Sequence, residues 1–238
     1  MGPPPLPRVL EPEVMDTDEE ARDYDAMDHG DVNARFVADL LAARGTLSTG
    51  ARPARVLDVG TGTALIPVEL CRRDAGVQVD AIDLASHMLA LAERNVARAG
   101  LAGRIRVAKV DAKKGPWPPG TFDVVMSNSI VHHIPEPAEM LGEAWRLVKA
   151  GGRLFVRDLE RPATDARVAE LVAAYAPIPD GPPDLRAMHL RQRGLLEASL
   201  RAALTADEVR ALVGALGIPA ASVATTSDRH WTLSCEKP

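Results

Sequence analysis

A short apolar run over residues 55–59 ends at Gly60-Thr61-Gly62 and passes directly into a helical pattern over 64–74. Only a tight turn fits between the two. Glycines suit such a turn because they let the backbone bend sharply and let another group approach the main chain closely. A strand followed at once by a helix does not fold back as a hairpin, so the next strand must lie parallel to it. The unit then repeats. Strand patterns cover 77–84, 105–110, 122–127 and 153–159, with helices expected over 85–99 and 136–149. The helix over 136–149 is expected to stop at Gly151-Gly152, glycine being common just past a helix end. Such alternation implies an α/β architecture with a mainly parallel sheet covered by helices on both faces.

The flanks break the rhythm. Residues 1–15 are proline-rich and read as a flexible lead-in. The remainder, 16–238, reads as one domain. Within it, 16–45 forms an N-terminal helical lid in two pieces broken near Gly30. Residues 160–203 form a helical cap with a proline-rich turn. Thr205 and Glu208 open a helix over 205–216 with a capping-box spacing. The last two strand patterns, 221–227 and 230–236, are joined only around Asp228-Arg229. That link is too short for a crossover, so they must pair as an antiparallel hairpin.

Composition narrows the function classes. The 238-residue chain carries a formal net charge of −5 and 3% aromatic residues. Nucleic-acid binding relies on clustered basic residues and often on stacking aromatics, so it is disfavoured. No apolar run approaches spanning length, so no membrane association is expected. Two cysteines far apart, Cys71 and Cys235, suggest neither a disulfide framework nor a metal-ligand spacing. A cytoplasmic monomer or homodimer without a metal is the expectation.

Ligands in open parallel sheets bind beyond the carboxyl ends of the strands. Acidic or polar residues stand at four successive strand ends: Asp58, Asp83, Asp111 and the pair Ser127-Asn128. A carboxylate at Asp83 can accept from two ribose hydroxyls, and one at Asp111 from an adenine amino group. Each aspartate alone could equally cap a helix or form a turn; their joint occurrence favours a nucleoside site. A dinucleotide-binding dehydrogenase expects a third glycine where Leu65 stands, and Asp58 beside the glycines would repel a pyrophosphate. The same acid suits a ligand bearing an ammonium.

With VLDVGTGTA (56–64), VDAIDLASHML (79–89), VAKVDA (107–112), FDVVMSNSIVHHI (122–134) and GGRLFVRDL (151–159), the chain resembles the class I methyltransferases that use S-adenosylmethionine (SAM). The resemblance implies a Rossmann-like sheet of seven strands closed by the C-terminal hairpin. It implies SAM as cofactor and S-adenosylhomocysteine as product. Asp58 with Gly60, Thr61 and Gly62 would hold the methionine end. Asp83 and Leu84 would lie at the ribose, Asp111 and Ala112 at the adenine, with Ser127 and Asn128 completing the set. Ala64 departs from the third glycine of many members.

Methyl transfer needs alignment of the acceptor and, at most, removal of one proton. The candidates on the acceptor side are Asn128, His132, His133, Tyr24 and His29. The adjacent histidines point in different directions, so one would face the pocket as a general base and the other would pack. Arg157 and Asp158 either pair with each other or orient an acceptor carboxylate. The run after Ser127 lacks the Asn/Asp-Pro-Pro-aromatic sequence of many enzymes acting on nucleobase amines, which favours a small-molecule acceptor. The alternatives left open are a SAM-binding or SAM-modifying protein without methyl transfer, a protein-acceptor methyltransferase, and an NAD-dependent dehydrogenase.

Overall fold

A computed structural model describes residues 5–12, 16–17, 19, 21, 25, 30–44, 47 and 52–238. Helix α1 (Gly30–Arg44) precedes β1 (Ala54–Val59), α2 (Leu65–Arg73), β2 (Val77–Asp83), α3 (Ser86–Arg98), β3 (Ile105–Lys109) and β4 (Phe122–Asn128). After a short 3-10 turn (Val131–His133) come α4 (Pro137–Leu147), β5 (Val148–Leu159), α5 (Asp165–Tyr175), α6 (Pro183–Ala202) and α7 (Ala206–Ala215). The hairpin strands β6 (Val223–Thr225) and β7 (His230–Glu236) close the chain.

The sheet has seven strands in the order β3-β2-β1-β4-β5-β7-β6. The first five run parallel; β7 lies antiparallel to β5 and β6 antiparallel to β7. Both the parallel body and the terminal hairpin match the sequence expectation. Strand order reverses direction between β1 and β4, which makes their carboxyl ends the crevice of the sheet.

Side chains alternate between two cores. Leu57, Val59, Val125, Leu154 and Val156 pack with α4 and α7 on one face. Val56, Val79, Val124, Met126 and Phe155 pack with α1 and α2 on the other. Phe36 of α1 meets Phe155 edge-on, with centroids 5.2 Å apart. The period-two alternation follows from the pleat. It also decides the fate of Arg157 and Asp158, which are neighbours in β5 and therefore point to opposite faces. Arg157 donates to Asp39 of α1 at 2.8 Å and to Thr232 at 2.9 Å. Asp158 turns to the other face and takes His132. The two do not pair with each other, which corrects one sequence alternative.

Two further expectations change. Helix α4 ends at Leu147, and the glycine pair does not stop it. Gly151, at φ +69°, and Gly152 lie inside β5, where the register with β4 shifts between Phe122 and Val124. Glycine past a helix and glycine in a bulge look alike in sequence. The lead-in expected to be flexible is also anchored where it is described. Arg8 donates to the carbonyls of Ala202, His132 and Ile134, at 2.7, 3.1 and 3.0 Å. The capping box at Thr205 and Glu208 forms as expected.

Candidate functional site

The loop after β1 is set by backbone conformation. Gly60 and Gly62 have φ of +71° and +53°, in the left-handed region that suits glycine. Ala64 sits at φ +60° without that freedom. A Cβ added at Gly60 would fall 2.2 Å from Ile130 Cγ2. Gly60→Ala is therefore expected to destabilise the fold by about 1–3 kcal/mol through strain and overpacking. A thermal melt unchanged from the parent would contradict that close fit.

Asp83 braces this loop from β2. Its Oδ2 accepts from Gly62 N at 2.8 Å, and its Oδ1 from Ala85 N at 2.9 Å. Burial raises its pKa above the usual carboxylate range, against the pull of those backbone donors. Beside it opens a cleft of about 820 Å3, counted out to bulk solvent. Gly60, Gly62, Asp83, Leu84, Asp111, Ala112, Asn128 and His133 are among its walls. Asp111 follows β3 in a turn, where its Oδ1 accepts from Lys113 N at 2.9 Å.

A second cavity, of about 350 Å3, lies on the α1 side of the glycine loop. Its walls include Asn33, Asp58, Gly60, Thr61 and Asn128. Gly60 and Asn128 line both spaces. Asp58 is 2% exposed. Burial pushes its carboxyl up to about 7; Thr61 opposes that rise and Asp83 adds to it. Among the described residues no cation pairs with it. The Oδ1 of Asn128 is also buried without a hydrogen-bond partner. The cavity thus holds a buried acid with no cation beside it and, in Asn128, an unsatisfied acceptor.

Ser127 does not share in either space. It is fully buried, and its hydroxyl donates to the Val59 carbonyl at 2.8 Å across the β1–β4 pair. It is a strut of the sheet, pointing to the face opposite Asn128. Of the acceptor-side candidates, His133 reaches the cleft and His132 does not. His132 is 3% exposed, and its Nδ1 lies 2.6 Å from Asp158 Oδ1. Burial disfavours charge on His132, but Asp158 outweighs it and raises the pKa above the ordinary imidazole value. His133 is pushed down to about 3, by burial first and by His132 second. Tyr24 and His29 lie outside the described residues.

The sequence reading missed Glu11. Its Oε1 stands 3.2 Å from His133 Nδ1 and 3.5 Å from His132 Nε2. No local signal could have found it, because more than a hundred residues separate it from the histidines.

The order of the strands and the antiparallel hairpin, with a glycine loop and acids at successive strand ends, are those of the class I SAM-dependent methyltransferase fold. Residues 57–156 match the family model described as a methyltransferase domain. The chain is 34% identical over 122 residues to a ubiquinone biosynthesis O-methyltransferase of Xanthomonas euvesicatoria, covering 51% of this chain and 50% of that protein. It is 35% identical over 114 residues to a demethylmenaquinone methyltransferase of Thermus thermophilus, covering 48% and 51%. The chain thus spans about half the length of these relatives. The fold matches the crystal structure of a SAM-dependent methyltransferase from Aquifex aeolicus with a TM-score of 0.63. Identity there is 20%, over 92% of this chain and 97% of that one. Among the described residues no helix is long and apolar enough to cross a membrane.

Proposed function

We propose that the chain binds SAM across the two joined cavities and transfers its methyl group to a small organic acceptor. The observation that carries this reading is the buried Asp58, with no cation beside it among the described residues, in a cavity that shares Gly60 and Asn128 as walls with the cleft of Asp83 and Asp111. The carboxylate and the main chain of Gly60–Gly62 would hold the ammonium-bearing methionine end. Asp83 would accept from the ribose hydroxyls. Leu84 would lie beside the ribose, Ala112 would flank the adenine, and Asp111 would accept from its amino group. When bound, SAM supplies a methyl carbon already activated by the sulfonium.

The chain's own contribution is then mainly positioning, which removes the entropic part of the barrier. Asn128 stands where the two cavities meet and offers its free Oδ1 as an orienting acceptor. His133 stays neutral at pH 7, so it does not repel a cationic ligand at the cleft. Its low basicity makes it a weak proton acceptor, so an acceptor already acidic enough to ionise suits the site best. The net charge of −5 and scarce aromatics speak against a nucleic acid acceptor. The names of the relatives put quinone-type molecules, demethylmenaquinone among them, at the head of an acceptor panel. A cytoplasmic setting fits the two unpaired cysteines.

Calorimetry with S-adenosylhomocysteine should give saturable binding, and incubation with SAM and the correct acceptor should release S-adenosylhomocysteine. Binding without turnover across the panel would favour a protein that binds SAM but transfers nothing. Absence of any SAM affinity would overturn the whole reading.

Asp58 makes a distinctive pH prediction. Its folded pKa, about 7, lies above the ordinary 3.8. The folded, ligand-free chain therefore holds that proton more tightly than the unfolded chain. The resulting stability is fully present at low pH and fades as pH rises through about 7. An ammonium ligand favours the ionised carboxylate. Affinity for S-adenosylhomocysteine should therefore fall as pH drops below about 7, with proton release on binding. Calorimetry in buffers of different ionisation enthalpy reads that proton directly. No proton release near pH 6 would remove Asp58 from the ammonium site.

A further inference from the structure

Glu11, His132 and His133 form a cluster at the rim of the cleft. One carboxylate oxygen and two ring nitrogens come together, all within 4.8 Å of one another. The side chains are 11%, 3% and 16% exposed, so water solvates them poorly. The contacts are short, yet they are not oriented hydrogen bonds. Glu11 Oε1 and His133 Nδ1 lie 3.2 Å apart, and both are buried atoms without a hydrogen-bond partner. An oxygen and a nitrogen that face each other without a proton aligned between them present two lone pairs to one point. That arrangement leaves two buried acceptors that need a proton or a cation between them.

We propose that Glu11, His132 and His133 bind one divalent transition-metal ion of the zinc class. The spacing suits it. Nitrogen and oxygen ligands about 2.1 Å from a tetrahedral centre stand roughly 3.4 Å from one another. The two separations from Glu11, 3.2 and 3.5 Å, bracket that value, and the two ring nitrogens lie within 4.8 Å of each other. The ligand types suit it too, since imidazole with a carboxylate is a donor set for zinc and its neighbours rather than for calcium or magnesium. Asp158 supplies the outer support. It accepts from His132 N at 3.0 Å and holds Nδ1 at 2.6 Å, which leaves Nε2 to face Glu11. A carboxylate behind a histidine in this way fixes the tautomer and raises the basicity of the ligating nitrogen. The Ser199 hydroxyl of α6 bonds the Glu11 carboxylate.

The consequence is mechanical as well as chemical. Glu11 belongs to the lead-in, and His133 lines the cleft. A shared ion would clamp residues 5–12 onto the 3-10 turn at the rim, reinforcing the hold of Arg8 on His132 and Ile134 carbonyls. Three protein ligands also leave a fourth position for water or another oxygen, the count found in open zinc sites. The proposal does not rest on the cofactor reading and can fail or survive separately from it.

The test is zinc titration of the metal-stripped full chain in competition with a chromophoric chelator. One equivalent should bind, and cobalt in its place should give the visible absorption of a four-coordinate ion. Glu11→Ala and His133→Ala should each weaken the first equivalent by at least tenfold. Zinc should raise the melting temperature of the parent and not of Glu11→Ala. The Glu11 variant leaves the His132–Asp158 pair intact, and its melt in chelator checks that it folds. No uptake, or equal affinity in parent and both variants, would overturn the proposal. Equal affinity would instead locate the zinc on other histidines such as His87 or His189.

Discussion

Asp158→Asn is expected to destabilise the fold by about 3–5 kcal/mol, the range for breaking a buried ion pair by removing one partner. Asp158 is 1% exposed. It accepts from His132 N at 3.0 Å, from Leu159 N at 2.6 Å and from the ring of His132 at 2.6 Å. Burial disfavours its charge, but the histidine and these donors hold its pKa below the usual carboxylate range. Asparagine keeps one acceptor oxygen and replaces the other by a donor. At least one buried donor then meets another donor, and His132 loses the carboxylate that holds its ring. A domain of this kind has only about 5–15 kcal/mol of stability in all. Chemical denaturation should therefore show a large fall in midpoint with little change in slope. A loss under 1 kcal/mol would mean that the pair is neutral or reached by water.

Asp83→Ala should weaken S-adenosylhomocysteine binding by about 10–100-fold, from losses of about 1–3 kcal/mol in hydrogen bonding. Two effects act together. The ribose hydroxyls lose their acceptor, and the glycine loop loses its brace at Gly62 N. Asp83→Asn separates them, because one oxygen remains to hold either the loop or the sugar. Its affinity should fall between those of the parent and the alanine variant. Calorimetry measures the affinities, and melts without ligand report what the loop alone contributes. Parent-like binding by Asp83→Ala would remove Asp83 from the sugar site and leave it a loop brace.

The cavity residues Asp58, Gly60, Gly62, Asp83 and Asp111 were legible because their signals are local. Each stands where a strand pattern stops, and strand ends gather at the crevice of a parallel sheet. Ser127 shows the limit of that rule. A polar residue at a strand end faces the cavity or the sheet according to its parity, and Asn128, one position on, takes the cavity face. The glycine pair at 151–152 failed for a different reason, since the same residues end helices and shape bulges.

What the sequence determined by itself was therefore the alternation of elements, the hairpin forced by a short link, and the acids at the strand ends. All of these follow from periods of two and 3.6 residues and from the reach of a few bonds. Only the tertiary structure decided the partners. It split Arg157 from Asp158 across the sheet, sent His133 to the cleft and His132 to Asp158, and brought Glu11 to both histidines. Contacts between distant segments depend on how whole layers pack, and no local periodicity along the chain encodes that distance.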